Sequence, residues 1–333
     1  MTVEAATIAF VIGAMVCLGT SWVFVSKLEM MGERFGYSEA SLGLLAALAA
    51  DTPEITAAVT ALLRHERAVG AGVIIGSNVF NLAALLGLGA VVAGRLHLHR
   101  KVVVLGGAVA IWMAVVCLIT VTRVVDPVGG LVLVLVVLVA YITVLAGRSR
   151  VLRRLGLPPS WVTWLSTAVE EEELELVVAI RPAPAQGRDM VLAALALVVV
   201  VGSAVAMERG ASALGDHGHI PGVIIGGLVL AAVTSLPNAV AAIYLASKGR
   251  GAAAFSTALN SNTLNVVAGL VIPATFLGLT RPSGQTVFIT AAYCGLTLLT
   301  LVLAFADRGL RRSAGWFIVA GYAAFVAILV VVS

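Results

Sequence analysis

The sequence predicts an all-α polytopic membrane protein made of two five-helix repeats of inverted topology, with broken helices at the centre. The first observation is composition: of 333 residues, 60% are hydrophobic and 11% charged, and the mean hydropathy is +1.07. Soluble domains average about 45–50% apolar and about 25% charged residues. The second is a series of ten apolar runs. The third is a set of polar residues that recurs in both halves of the chain.

The apolar runs divide the chain into two groups of five. Each run approaches or exceeds the roughly 20 residues that a helix needs to cross a bilayer. The runs are 5–26, 37–63, 70–94, 101–122, 127–147, 190–208, 219–246, 252–279, 284–306 and 313–332. The first lacks the basic region and cleavage site of a secretory signal, so we expect a retained helix. The domains are then a first repeat over 1–147, a linker over 148–189 and a second repeat over 190–333.

The distribution of Lys and Arg predicts the orientation of these helices. If the N-terminus is outside, sixteen of the twenty-one Lys and Arg residues fall in inside loops, including those of 148–189. Inside loops of membrane proteins carry an excess of Lys and Arg. We therefore expect both termini outside, the 148–189 loop in the cytoplasm, and residence in the plasma (inner) membrane.

An internal repeat relates the halves at one ungapped offset of 184 residues. The offset places Pro53 on Pro237, Glu54 on Asn238, Ser77-Asn78 on Ser261-Asn262, and Asn81 on Asn265. Chance alignment of apolar runs would match Leu, Ala and Val instead. Because each half has an odd number of spans, the second half enters the membrane from the opposite face. Inverted repeats of this kind are typical of secondary transporters.

The repeated prolines predict two helix breaks, at Pro53 and Pro237. Proline removes a backbone donor and clashes with the preceding turn. In the first motif, Thr52 is expected to cap the new half-helix, with Pro53 in its first turn and Glu54 following. Irregular backbone at membrane depth is tolerated only inside protein or beside a water-filled cavity. The breaks therefore point to a central site.

Polar side chains near the breaks form the predicted cation site. They are Asp51, Glu54, Ser77, Asn78, Asn81, Thr234, Ser235, Asn238, Ser261, Asn262 and Asn265. The metal ligands predicted among them are Glu54, Asp51, Asn81, Asn238 and Asn265. Carboxylate, amide and hydroxyl oxygens suit hard cations such as Na⁺ and Ca²⁺. No Lys or Arg lies there for an anion, and no Cys or His for a soft metal.

Structural roles for the same side chains stay open at this point. Asp51 could cap a half-helix, and the hydroxyl groups could bond to their own helices. The Asn side chains could hydrogen-bond between helices without touching an ion. Glu54 could do the same, although ionisable residues within membrane spans are functional candidates by default.

Two segments resemble the α-repeats of the cation/Ca²⁺ antiporter superfamily, the sodium/calcium exchanger family. They are "ADTPEITAAVTALL" with "GAGVIIGSNVFNLAALLGLG", within 38–90, and "VTSLPNAVAAIYLASKGRGAAAFSTALNSNTLNVVAG", within 222–274. The family pattern is close to G-T-S-x-P-E followed by G-S-N-x-x-N/D. The resemblance implies ten helices and exchange of Ca²⁺ or related cations for Na⁺, H⁺ or K⁺ by alternating access.

This chain departs from the family pattern at several positions. Asn238 stands where the second Glu is expected, and Asp51 stands where the first motif has Ser. Ala50 and Asn260 replace a Thr and a Gly, and Asn81 and Asn265 are both amides where one Asp is often found. The central charge is −1, or −2 if Asp51 faces inward. One carboxylate favours a monovalent or weakly held divalent ion, and two favour a divalent ion.

The sequence therefore predicts a secondary transporter that exchanges Ca²⁺ or another divalent cation for Na⁺ or H⁺. Glu54 is its central ligand, and Asp51 is a second carboxylate or proton carrier. The alternatives are a monovalent cation/H⁺ exchanger, a channel on the same scaffold, or a cation sensor that has lost transport. We expect no enzymatic activity, no resident cofactor and no nucleic-acid partner; the partners are small cations and the lipid bilayer. The sequence does not indicate an oligomeric state.

Overall fold

The structure, a computed structural model, describes residues 1–34, 47–146, 158–177, 187–279 and 281–332, together with 152 and 156. The helices are α1 (Val3–Arg34), α2 (Thr52–Leu63), α3 (Arg67–Ala93), α4 (Arg100–Val121), α5 (Pro127–Ala146), α6 (Pro159–Val177), α7 (Gly187–Gly218), α8 (Gly222–Ser247), α9 (Gly251–Leu264, continuing to 277), α10 (Gly284–Ala306) and α11 (Arg312–Val332). The strands are β1 (Arg95–His97) and β2 (Gly309–Arg311).

The predicted helical membrane fold is confirmed. Eight helices of the described residues are long and apolar enough to cross a membrane, and the chain is an integral membrane protein. The run 37–63 coincides with a shorter helix, α2, and the run 252–279 coincides with α9, which is not among these eight, so the count of ten spans stays a prediction. Residues 35–46, at the start of the second run, lie outside the described residues.

Two elements were not expected from the apolar pattern. Helix α6 lies within the segment interpreted as a polar linker, and it packs against α4 and α9. Strands β1 and β2 pair antiparallel, with Leu96 opposite Leu310, and both of these leucines are buried. The pair ties the end of α3 to the connection between α10 and α11, so it joins the two repeats.

The helices form a buried centre with an exposed apolar perimeter. In the most apolar stretch of α3, 94% of the residues are buried, compared with 22% in α1 and 28% in α7. Helices α1 and α7, which open the two repeats, pack along each other, and α7 also contacts α2. Helix α3 contacts α2 and crosses α8, while α2 contacts α9. The four helices that carry the repeated motifs therefore meet at the centre.

The interruption predicted at Pro53 is present. Residues 47–50 are helical, Asp51 forms a turn, and α2 begins at Thr52 with Pro53 in its first turn. The capping role expected of Thr52 is wrong, because its hydroxyl donates back to the Leu48 carbonyl at 3.1 Å. Asp51 holds the N-cap position but makes no side-chain cap hydrogen bond. Its carboxylate bonds to the other repeat instead.

The break predicted at Pro237 is not found. Pro237 lies inside the continuous helix Ala231–Ser247. Membrane helices tolerate an internal proline when neighbouring groups compensate for the backbone hydrogen bond that it removes. The irregular backbone of α8 lies earlier, in the π-helical stretch Ile225–Leu230.

Two further π-helical stretches extend the internal repeat to the backbone. They are Leu82–Leu88 in α3 and Asn265–Val271 in α9, which correspond within one residue at the 184-residue offset. Such stretches are rare and frequent at functional sites. Here one follows Asn81 directly and the other begins at Asn265, so the helical geometry of each repeat changes at the last Asn of the repeated motif.

Candidate cation site

All eleven predicted site residues lie in the buried centre, with exposures of 2% or less. Asp51 and Glu54 stand at the start of α2, and three polar residues come from each of α3, α8 and α9. These are Ser77, Asn78 and Asn81; Thr234, Ser235 and Asn238; and Ser261, Asn262 and Asn265. Each repeat thus supplies about half of the polar groups.

Glu54 is held by donors from the second repeat. The Ser235 hydroxyl donates to its Oε1 at 2.5 Å, and the Asn265 amide donates to its Oε2 at 2.5 Å. Residues 181 and 211 positions away in sequence therefore orient this carboxylate.

Asp51 faces the same site. Its Oδ1 accepts hydrogen bonds from the Asn238 amide at 2.7 Å and from the Ser261 hydroxyl at 2.6 Å. Asp51, which stands where the first motif has Ser, thus bonds to Asn238, which stands where a second Glu was expected. With Asp51 and Glu54 both ionised, the side chains of the site carry a formal charge of −2.

The remaining amides link the repeats to each other. Asn78 donates to the Asn262 carbonyl at 3.2 Å, and Asn262 donates to the Asn78 carbonyl at 3.1 Å. These residues are separated by 184 positions, the repeat offset, so they exchange equivalent hydrogen bonds. Asn81 donates to Ser261 and to the Asn262 side chain at 3.1 Å each, and Asn265 donates to the Asn78 side chain at 3.2 Å.

Two predicted residues stand apart from these hydrogen bonds. Thr234 donates to the Leu230 carbonyl of its own helix at 2.8 Å, which is the structural role left open for it. The Ser77 hydroxyl is buried without a hydrogen-bond partner among the described residues. Every side-chain hydrogen bond that reaches Asp51 or Glu54 from the described residues comes from a predicted site residue.

The donor set fits a hard cation. Among the described residues, Asp51 and Glu54 form no ion pair with Lys or Arg. The buried oxygens without a hydrogen-bond partner include Asp51 Oδ2, Asn81 Oδ1, Asn265 Oδ1 and Ser77 Oγ. Buried charges in proteins are paired or coordinate metals. The site thus combines two buried carboxyl groups with neutral oxygens of the kind that Ca²⁺ and Na⁺ bind.

Sequence reasoning assigned no role to another buried carboxylate, Glu208 of α7. Its Oε1 accepts a hydrogen bond from Ser212 at 3.2 Å, and its Oε2 lies 3.6 Å from Arg64. An ionisable residue at the edge of an apolar run is the signal that could have identified it. Glu208 takes no part in the hydrogen bonds described above for Asp51 and Glu54.

The exchanged amides predict an effect on stability. Asn262→Ala removes one member of the reciprocal pair and one acceptor of Asn81, and we expect the free energy of unfolding to fall by about 1–3 kcal/mol. Thermal unfolding of the purified protein in detergent measures this. Asn260→Ala is the matched control, because Asn260 lies on the same helix and accepts one hydrogen bond from Tyr141 at 3.1 Å. An equal or larger effect of Asn260→Ala would contradict the prediction.

Comparison with known proteins agrees with this architecture. The model of the family described as sodium/calcium exchanger protein matches residues 5–157 and 189–331. A protein named "Putative antiporter CaxA" of Alkalimonas amylolytica is 35% identical over 89 residues, which are 26% of this chain and 28% of that protein. The sodium/potassium/calcium exchanger Nckx30C of Drosophila melanogaster is 34% identical over 95 residues, which are 28% of this chain and 11% of its own length.

Solved structures share the fold at low sequence identity. The structure described as H⁺/Ca²⁺ exchanger CAX has a TM-score of 0.69 at 14% identity, with 98% of this chain and 86% of that chain covered. A structure of the sodium-calcium exchanger NCX_Mj has a TM-score of 0.59 at 19% identity, with 98% and 99% covered. The family model spans nearly the whole chain, and the described helices form the exchanger fold. The chain therefore belongs to the sodium/calcium exchanger protein family.

Proposed function

We propose that this protein is an antiporter that exchanges Ca²⁺ or a similar divalent cation for Na⁺ or H⁺. One observation carries the proposal: two fully buried carboxylates share a site with no cationic side chain among the described residues. Two buried negative charges are costly unless positive charge accompanies them. A divalent cation neutralises both, and two Na⁺ ions or two protons do the same.

The proposed ligands are the predicted set, with unequal roles. Glu54 is the central ligand and Asp51 the second carboxylate, and Asn81, Asn238 and Asn265 supply amide oxygens. Among the described residues, the Oδ1 atoms of Asn81 and Asn265 accept no hydrogen bond, and Asn238 donates to Asp51 through its amide nitrogen. The Oδ1 atom of Asn238 is then the atom that would coordinate the cation.

The division of the site between repeats supports alternating access. Both carboxylates belong to α2 of the first repeat, and their four donors belong to α8 and α9 of the second. Movement of one repeat against the other would change the donors of both carboxylates together. The names of the relatives, which include exchangers of sodium, potassium and calcium, support the same class of activity for this chain.

The counter-ion follows from the same two carboxylates. Two buried negative charges need positive charge beside them, which a divalent cation, Na⁺ ions or protons can supply. Loss of the cation is thus coupled to uptake of a proton or of Na⁺ at the same oxygens. We propose Na⁺ or H⁺ as the counter-ion on this ground.

Transport by purified protein in liposomes tests the proposal. We expect Ca²⁺ to enter the vesicles when an outward gradient of Na⁺ or of H⁺ is imposed, and entry to cease when that gradient is removed. Protein-free liposomes under both gradients are the control.

Other outcomes would replace the antiporter with a different class. Ca²⁺ entry that continues equally without a counter-ion gradient would indicate a channel. Binding of Ca²⁺ without entry would indicate a sensor, and exchange confined to monovalent cations would indicate a cation/H⁺ exchanger. Each contradicts the proposed function.

We also propose that the protein resides in the plasma (inner) membrane, with both termini outside and the 148–189 loop in the cytoplasm. The excess of Lys and Arg in the loops on that side supports this orientation.

A further inference from the structure

We propose that Asp51 and Asn238 are an exchanged pair, in which Asp51 supplies the second carboxylate of the site that the repeat symmetry would place at position 238, one hydrogen bond away. The exchange restores two negative charges and makes the site selective for a divalent cation. This inference rests on the proposed function and concerns the way in which the site obtains its second charge.

The internal repeat defines the pair. At the 184-residue offset, position 51 corresponds to Ser235 and position 54 corresponds to Asn238. The hydrogen bond from Ser235 to Glu54, at 2.5 Å, and the hydrogen bond from Asn238 to Asp51, at 2.7 Å, therefore join equivalent positions of opposite repeats. They are the same contact, made once on each side of the pseudo-symmetric site.

The chemical roles within this contact are reversed. On one side the hydroxyl of Ser235 donates and the carboxylate of Glu54 accepts. On the other side the residue equivalent to Glu54 is the donor, Asn238, and the residue equivalent to Ser235 is the acceptor, Asp51. Each of the two contacts thus contains one carboxylate and one neutral donor.

The neighbouring donors also differ between equivalent positions of the two repeats. Glu54 also accepts from Asn265, whose equivalent, Asn81, would donate to position 238 if the symmetry were complete. Asn81 donates instead to Ser261 and Asn262. Ser261 in turn donates to Asp51 at 2.6 Å, whereas its equivalent, Ser77, has no hydrogen-bond partner within the described part of the chain. Donors are arranged around position 51 and not around position 238.

The exchanged pair also places both carboxylates at the start of α2. Asp51 and Glu54 are three residues apart at the start of α2, a spacing that puts side chains on one helix face. Two carboxylates on one face, with no Lys or Arg paired to them among the described residues, match the charge of one divalent ion. A single carboxylate would leave such an ion with an uncompensated positive charge in a low-dielectric site.

A swap of the pair tests the inference in the liposome assay. Asp51→Ser leaves one carboxylate, and Asn238→Glu places a third carboxylate against Asp51. We expect each single variant to lower Ca²⁺ exchange at least about tenfold, a loss in the range that metal sites show when a supporting group is removed. The double variant Asp51→Ser/Asn238→Glu restores a hydroxyl–carboxylate pair, and we expect exchange to return to the wild-type order of magnitude.

A second double variant controls for charge alone. Asp51→Ser/Asn260→Asp adds a carboxylate of equal charge on α9, at a position that contacts Tyr141 and lies outside the pair. We expect no recovery from it. Recovery equal to that of the paired swap, or a paired swap no more active than the weaker single variant, would overturn the inference.

An isosteric variant keeps the test decisive if a swapped protein fails to fold. Asp51→Asn removes only the charge, and we expect it to lose the Ca²⁺-induced rise in melting temperature that the wild type shows. Full Ca²⁺ exchange by Asp51→Asn, in vesicles where the wild type also exchanges, would overturn this inference and leave the proposed function standing. Absence of exchange by the wild type would instead contradict the proposed function.

Discussion

Glu54→Gln is expected to lower cation exchange in liposomes by at least about 100-fold, because a bound divalent cation would keep one uncompensated charge, and an unpaired buried charge costs about 3 kcal/mol or more. The substitution removes one of two negative charges and directs an amide N–H₂ at Ser235 or Asn265, which both donate to Glu54. One donor then loses its acceptor inside the protein. Initial rates of Ca²⁺ uptake under the active counter-ion gradient measure the effect.

Glu208→Gln is the matched control for this experiment. Glu208 is a fully buried carboxylate in another helix, and its neighbouring cation, Arg64, is 40% exposed. Gln can still accept the hydrogen bond from Ser212. We expect Glu208→Gln to retain exchange, so a loss specific to position 54 reports on the site. Normal exchange by Glu54→Gln would remove Glu54 as the central ligand.

Gly76→Ala is expected to prevent the close crossing of α3 and α8. A Cβ atom at position 76 would lie 2.2 Å from the carbonyl oxygen and 2.5 Å from the Cα of Gly227. Both atoms belong to backbone, so the two helices would have to separate, and overpacking of this kind costs about 1–3 kcal/mol or more. Because Ser77 and Asn78 follow directly, the displacement would also disturb the cation site. We expect a lower melting temperature in detergent and a loss of exchange.

The opposite side of the same crossing supplies the control. A Cβ atom at position 227 would meet Gly72 at 3.6 Å, an ordinary van der Waals distance. We therefore expect Gly227→Ala to fold and to exchange nearly as the wild type does. Equal sensitivity of the two glycines would contradict the packing described here, since only one of them faces backbone at short range.

Much of the architecture could be predicted from local information. Apolar runs of membrane-spanning length predict helices because unpaired backbone groups are not tolerated in lipid. The recurrence of Ser77-Asn78 as Ser261-Asn262 at a constant offset predicted that both repeats contribute polar groups to one central site. The hydrogen bonds that Asn78 and Asn262 exchange there were not predicted. Spacing along a helix was enough to select residues that share a buried face.

Elements that depend on tertiary neighbours could not be predicted in the same way. Pro237 suggested a break, but the helix continues through it. Membrane helices tolerate an internal proline when neighbouring groups compensate for the missing donor, and local sequence does not reveal those neighbours. Helix α6 lies in a segment that its polar residues marked as a linker. It packs on α4 and α9, and these contacts cannot be read from the pattern of apolar runs. The strands β1 and β2 are three residues each and form only because distant ends of helices meet.

Hydrophobicity and a fixed offset between the halves are enough to predict the membrane class, the repeat and the set of central polar residues, because each depends only on the order of residues along the chain. The tertiary structure alone decided the role of Asp51. Next to Pro53, its carboxylate could have capped α2, and nothing local excludes that choice. Its partners, Asn238 and Ser261, lie 187 and 210 residues away, and folding brings them within 2.7 and 2.6 Å. Donors from the second repeat therefore hold the Asp51 carboxylate beside Asn238 and Ser261, away from the cap of α2.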